Sequence, residues 1–241
     1  MEDIVDINTL FGPLPASSAD LAVDSLLQLM QAHQVALACT LSTLGILLDP
    51  ALGNAATRAA CSEQTQLVPV ATLNPTMFVG DTSALDQFTA EGFRMLRFFP
   101  TDQRWIIDFA PFHWLLSRVQ ETRIPVMVDI RNLGEITDLT RALSDTNAVV
   151  ILSGVNRHTL AEAVAAMQTF PNWHIETSRL LSPGCLKLAA DCIGAERLLF
   201  GTGAPAQPIA SGLHTVRYAG LDANSVAMVL GSNARRLLNL G

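Results

Sequence analysis

The chain has 241 residues, with fifteen Lys and Arg against twenty-two Asp and Glu, giving a formal net charge of -7. That balance excludes a nucleic-acid partner, because binding phosphates needs a positive stripe. Apolar residues make up 49% of the chain, yet no apolar run approaches the roughly 18 residues that cross a bilayer, so no membrane partner is expected.

Taken in chain order, one rhythm repeats: a short β-branched burst, a polar break, then a helical pattern. The bursts are IVDIN (4–8), VALACTL (35–41), LVPVATLN (67–74), FRMLRFF (93–99), PVMVDI (125–130), AVVILSGV (148–155), WHIETS (173–178) and RLLFGTG (197–203). Segments with 3.6-residue periodicity lie between them, at 19–33, 50–63, 83–90, 111–122, 134–144, 159–170 and 183–193, and 223–238 closes the series. Asp49-Pro50 and Ser182-Pro183 each set a capping residue ahead of Pro at a first helical turn. Eight strands alternating with eight helices, with no linker, predict a single α/β domain over 1–241, a (β/α)8 TIM barrel. The rival is a doubly wound open sheet. It would use fewer strands, and no GxGxxG follows the first burst.

In such a barrel, reacting groups sit at the C-terminal ends of the strands. Alternation sorts each strand end into residues that face the barrel and residues that face helices. In WHIETS, Trp173 and Ile175 suit the helix side, leaving His174, Glu176 and Ser178 inward. In PVMVDI, Val126, Val128 and Ile130 take one side and Asp129 the other. Arg97 shares its face with Met95 and Phe99, and the pattern leaves its direction open.

Several segments, each at its own strand of the barrel derived above, carry a resemblance. VDINTLFGP is similar to Asp-x-His-x-His-x-Gly-Pro, and GAERLLFGTGAP to Gly-x-x-Arg-Leu-Leu-Phe-Gly-Ser-Asp-x-Pro. GFRMLRFFP, IPVMVDI and the closing VLGSNARRLL fit the fourth strand, the fifth strand and the C-terminal tail of the same pattern. The chain thus resembles the amidohydrolase-related (amidohydrolase 2 type) TIM-barrel proteins, predicted metal-dependent hydrolases, nearly end to end.

The resemblance implies a metal site drawn from five places, and the chain departs at each. The first-strand histidines fall on Asn8 and Leu10, and the fifth-strand histidine on Asp129. The sixth-strand histidine falls on Gly154, or on Ser153 if the register slips by one. The eighth-strand aspartate, which metal-independent lactone hydrolases of the superfamily use as base, falls on Gly203. Two oxygen side chains, Asn8 and Asp129, do not hold a transition metal, which wants three or four convergent ligands. No metal or other cofactor is expected, and hence no metal-activated hydroxide.

The inward polar set is then Asn8, Arg97, Asp129, His174, Glu176 and Ser178, with His158 in the loop after the sixth strand. One reading pairs Glu176 with His174 or Asp129 as acid and base, while Arg97 holds a substrate carboxylate. The other has Arg97, Asp129 and Glu176 satisfy one another as a buried charge network, with His174 a hydrogen-bonded core histidine. A metal site relocated to His158, His174 and His214 has no support from spacing. Asp102, Arg104 and Trp105 suit a lid or a subunit contact.

The expectation is a degenerate metal centre in a pseudoenzyme-like protein that binds a small polar or carboxylate ligand. The alternatives are a metal-independent hydrolase or decarboxylase using Asp129, Glu176 and His174, and a scaffold or regulatory subunit. Cys39, Cys61, Cys185 and Cys192 lack CxxC spacing and read as buried free thiols. The acidic start MEDIVDI has no signal-peptide pattern, so a cytoplasmic location is expected. So apolar a chain is expected to form a homodimer.

Overall fold

The computed structural model describes residues 3–15, 20–77, 83–144 and 146–241. Eight parallel strands stand in sequence order. They are β1 (Ile4–Phe11), β2 (Val35–Ser42), β3 (Leu67–Thr72), β4 (Met95–Phe98), β5 (Val126–Asp129), β6 (Val150–Ser153), β7 (Trp173–Glu176) and β8 (Leu198–Leu199). The ring is closed by backbone bonds between the first and last strand regions. Ile7 N donates to Phe200 O at 3.0 Å, Gly203 N to Asn8 O at 2.7 Å, and Leu10 N to Ala204 O at 2.9 Å. The (β/α)8 barrel expected from the rhythm is the fold observed.

Strand alternation builds two cores. Val5, Ile7, Cys39, Leu41, Val70, Met95, Met127, Ile151 and Leu199 fill the inside of the barrel. Leu96, Phe98, Val126, Val128, Val150, Leu152, Trp173 and Ile175 point outward to the helices. Those helices are α1 (Val23–His33), α2 (Leu44–Leu47), α3 (Pro50–Glu63), α4 (Ser83–Ala90), α5 (Ala110–Thr122), α6 (Glu135–Ala142), α7 (Leu160–Thr169) and α8 (Cys185–Ile193). Then come α9 (Ile209–Arg217), α10 (Ala223–Ala227) and α11 (Asn233–Leu238), the last two joined by a π-helical turn at Met228–Ser232. No described helix is long and apolar enough to cross a membrane.

Local chemistry explains the punctuation at one Pro and not at the other. The Asp49 carboxylate accepts from Leu52 N at 3.0 Å and caps α3, whose first residue is Pro50. At 182–183 the helix starts later, with Gly184 in the left-handed conformation as its cap. The start of the first helix, expected at residue 19, lies outside the described residues. α9 was not foreseen, because Gly, Ala and Ser mask its pattern. Those small residues let it dock closely: a Cβ on Gly212 would sit 3.1 Å from the side chains of Phe200 and Thr202.

Two further expectations are corrected. Trp105 is no lid; it is 7% exposed and packs against Phe98 and Phe112, its indole N–H bonded to Gln103. Of the four free thiols only Cys39 is fully buried, and Cys192 is exposed.

Candidate functional site

A cavity of about 570 Å³ opens at the C-terminal ends of the strands. Asn8, Leu10, Arg97, Asp129, Ser153, Gly154, Ser178 and Gly203 form its floor and lower wall, and Arg131, Asn156, Arg179, Leu181 and Gln207 its rim. Its position and size fit a small-molecule site. A smaller cavity of about 390 Å³, bordered by Pro50, Asn54, Arg58, Phe88 and Glu91, lies on the helix side.

Asn8 reaches the floor because β1 is irregular. Val5 and Ile7 face inward, but the pairing with β2 shifts register between Asp6 and Thr9. That irregularity changes the parity of the strand and turns Asn8 and Leu10 toward the mouth. It is held by Asp6, which is fully buried. One carboxylate oxygen accepts from Asn8 N at 3.0 Å and Thr202 N at 3.1 Å, and the other from the Thr202 hydroxyl at 2.5 Å.

Around Asn8 the polar groups form one network. Arg97 Nη1 donates to Asn8 Oδ1 at 2.6 Å, and Asn8 Nδ2 donates to Glu176 Oε2 at 3.1 Å. The same Glu176 oxygen accepts from the hydroxyls of Ser153 (3.1 Å) and Ser178 (2.9 Å), and Oε1 accepts from Ser178 N at 2.5 Å. Glu176 is wholly buried and sits where a Cβ on Gly201 would lie 2.3 Å from Oε1. Arg97 Nη2 lies 3.6 Å from Asp129 Oδ1, and its guanidinium stacks 4.7 Å from the centre of the Phe99 ring. Asp129 also accepts from Arg131 Nε, and Arg131 reaches out to Asp102 at 3.3 Å.

Burial pushes the Glu176 carboxyl above its ordinary value, against the pull of Ser178, Arg97 and Asn8. Burial also draws Arg97 down, opposed by Asp129 and Glu176. For Asp6, burial raises the pKa from 3.8 to about 7, despite its bonds to Thr202 and Asn8. The folded state then holds a proton that the unfolded state has lost between pH 4 and 7. Stability should therefore fall as pH rises through that window, by roughly 4 kcal/mol for three pKa units. In Asp6→Asn, urea midpoints measured across this range should show a shallower slope; an unchanged slope would remove Asp6 as its source.

Of the residues expected from sequence, Asn8, Arg97, Asp129, Glu176 and Ser178 come together. His174 does not join them. It faces inward but one pleat lower, where its Nδ1 contacts Asn172 O at 3.1 Å, while Arg197 and Arg236 act on it from the N-terminal end. Burial, helped by those arginines and resisted by Asn172, lowers its pKa to about 4, so it is neutral at pH 7. The acid/base pairing of Glu176 with His174 is thereby corrected. His158 is exposed, accepts from Arg157 Nε, and lies off the cavity lining; the His214 ring packs at a tilt against Tyr218. Sequence reasoning missed Arg131 and Arg179. Each follows a strand end by two or three residues, which was the available signal.

The amidohydrolase family model matches residues 51–240. The chain belongs to the amidohydrolase family. No curated protein matches it. Among solved structures, the amidohydrolase barrel is similar to a dihydroxybenzoic acid decarboxylase from Polaromonas sp. JS666, which has bound manganese and the inhibitor 2-nitroresorcinol. The TM-score is 0.81 at 14% identity, covering 100% of this chain and 98% of that one. It is also similar to 2,6-dihydroxybenzoate decarboxylase from Rhizobium (TM-score 0.77, 16% identity, 100% and 99% covered). A third is 5-carboxyvanillate decarboxylase from Sphingomonas paucimobilis (TM-score 0.76, 14% identity, both chains covered at 100%). At these identities the likeness shows the fold.

The donors of this amidohydrolase barrel do not fit a transition metal. Leu10, Gly154 and Gly203 supply no side-chain donor, and no three His, Cys, Asp or Glu side chains converge among the described residues. Asn8 Oδ1 is taken by Arg97, and both Asp129 oxygens face guanidinium groups. At position 154 a side chain is sterically barred: φ is +85°, and a Cβ would lie 2.3 Å from Ile130 O.

Proposed function

We propose that this amidohydrolase-family barrel binds a small carboxylate-bearing molecule at its mouth through guanidinium groups, and that it does so without metal-dependent hydrolysis. The observation that carries the proposal is the charge of the cavity wall. Three arginines, Arg97, Arg131 and Arg179, line it against one carboxylate, Asp129, in a chain of net charge -7. Arg97 and Arg131 are shared with Asp129, whereas Arg179 is exposed and has no ion-pair or hydrogen-bond partner among the described residues. A guanidinium fork matches a carboxylate and gains a charge-assisted pair of bonds from it.

Catalysis by this network is disfavoured on the same geometry. Glu176 lies sealed beneath Asn8 and Ser178, off the cavity wall, and His174 is out of reach. Asp129 does face the cavity, which keeps a metal-independent decarboxylase or hydrolase as the second reading. An open cavity speaks against a scaffold role alone. The apolar composition, 49% of the chain, supports a homodimer.

Calorimetric titration with benzoate-type and short aliphatic mono- and dicarboxylates, beside their neutral amides, tests the proposal. At least one carboxylate should bind, its amide should not, and Arg179→Ala should weaken binding by about ten- to a hundred-fold, the worth of one charged hydrogen bond. Equal binding of amides, or indifference to Arg179→Ala, would sink it. Turnover of a carboxylate that is lost in Asp129→Asn would establish the second reading instead.

A further inference from the structure

We infer that the Arg97 guanidinium is a built-in cation, set between β1 and β5 in the place where the family resemblance puts a metal ion, so that the barrel takes no divalent ion there. The inference does not rest on the ligand proposed above. At the resemblance-derived ligand positions the side chains that offer oxygen are Asn8, Asp129 and, in the slipped register, Ser153, whose hydroxyl donates to Glu176. The guanidinium lies between Asn8 and Asp129, Nη1 at 2.6 Å from Asn8 Oδ1 and Nη2 at 3.6 Å from Asp129 Oδ1. Through the Asn8 amide its charge is passed on to Glu176, because the carbonyl end faces Arg97 and the amide N–H₂ faces the carboxylate.

Arg97 is 5% exposed and braced by the Phe99 ring, so it cannot swing out of the way without unstacking. A divalent ion entering here would meet a fixed positive charge within hydrogen-bond reach of the ligands it needs. The guanidinium supplies what buried carboxylates require, a permanent positive charge with a planar fork of donors. It supplies no Lewis-acid site that could ionise water.

The test uses full-length protein, with manganese and zinc as probes. Wild-type protein purified without chelator from medium supplemented with both metals should contain substoichiometric amounts of each. Its thermal midpoint should not move with added Mn²⁺ or Zn²⁺. In Arg97→Ala, Asn8, Asp129 and Glu176 face a guanidinium-sized gap. The midpoint of that variant should rise with Mn²⁺ or with ethylguanidinium at non-denaturing concentration. Arg97→Lys, which keeps the charge, should fold and stay insensitive to metal, and it stands in if the alanine variant does not fold. Stoichiometric metal in the wild type overturns the inference, as does a metal-dependent midpoint in wild type or in Arg97→Lys. A folded Arg97→Ala that responds to neither cation also overturns it, leaving Arg97 as packing.

Discussion

Arg97→Met is expected to lower the unfolding free energy by about 3–5 kcal/mol at neutral pH, the cost of stripping one partner from a buried ion pair. The apolar bulk is kept, so packing against Phe99 survives and the loss isolates charge. Asp129 would keep only Arg131, which is half-exposed, and Asn8 Oδ1 would lose its donor. Glu176 would lose the nearest positive charge that opposes its burial. Denaturant unfolding of wild type, Arg97→Met, Asp129→Asn and the double variant forms a cycle. The double variant should be less destabilised than the sum of the singles, because removing both partners leaves no uncompensated charge. Strict additivity would mean that Arg97 and Asp129 do not act on each other, and the network described here would be wrong.

Gly154→Ala is expected to cost roughly 2–5 kcal/mol, combining a left-handed backbone penalty with overpacking. The methyl would meet the Ile130 carbonyl, which is backbone and has little room to move, since Ile130 N is bonded to Ser153 O at 2.8 Å. Gly203→Ala makes the contrast. Its φ is also left-handed, at +80°, but the nearest atoms to a Cβ are those of the Gln207 side chain at 3.8 Å. That variant should lose only the backbone share, about 1–2 kcal/mol. Paired melts of the two variants separate strain from contact. Equal losses would show that the Ile130 contact relaxes freely.

Much of the barrel was legible because burial on both faces of a parallel strand leaves short apolar bursts, and each strand in the structure overlaps one of those bursts. Strand alternation also placed Asp129 and Glu176, since a period of two leaves little freedom at a buried strand end. It left Arg97 open because Met95 and Phe99 are apolar and could have faced either core. The barrel interior is itself apolar below the mouth, so hydrophobicity could not tell inside from outside. His174 shows the opposite limit. Its direction was readable, but depth along the barrel axis was not, and one pleat separates the mouth from the floor. The irregularity in β1 was invisible, because it depends on Thr202, almost two hundred residues away, bonding to Asp6. α9 escaped for a related reason. Its buried face, Ile209, Gly212, Leu213 and Val216, keeps helical spacing, but Gly212, which lets the helix dock closely, interrupts the apolar stripe in the sequence.

The closure of the ring between β1 and β8 has a consequence for folding order. Asn8 meets Gly203, and Asp6 meets Thr202, only when the two ends of the chain come together, and Asp6 and Thr202 stand 196 positions apart in sequence. Neighbouring strands elsewhere can pair as they emerge, each joined to the next by a local helical connection. The seam must wait for the last strand, and loop-closure entropy makes it late. Since that seam carries Asn8, the hinge of the polar network, a chain interrupted before β8 would hold most of a barrel, its pocket open on the side that Gly203, Ala206 and Gln207 close.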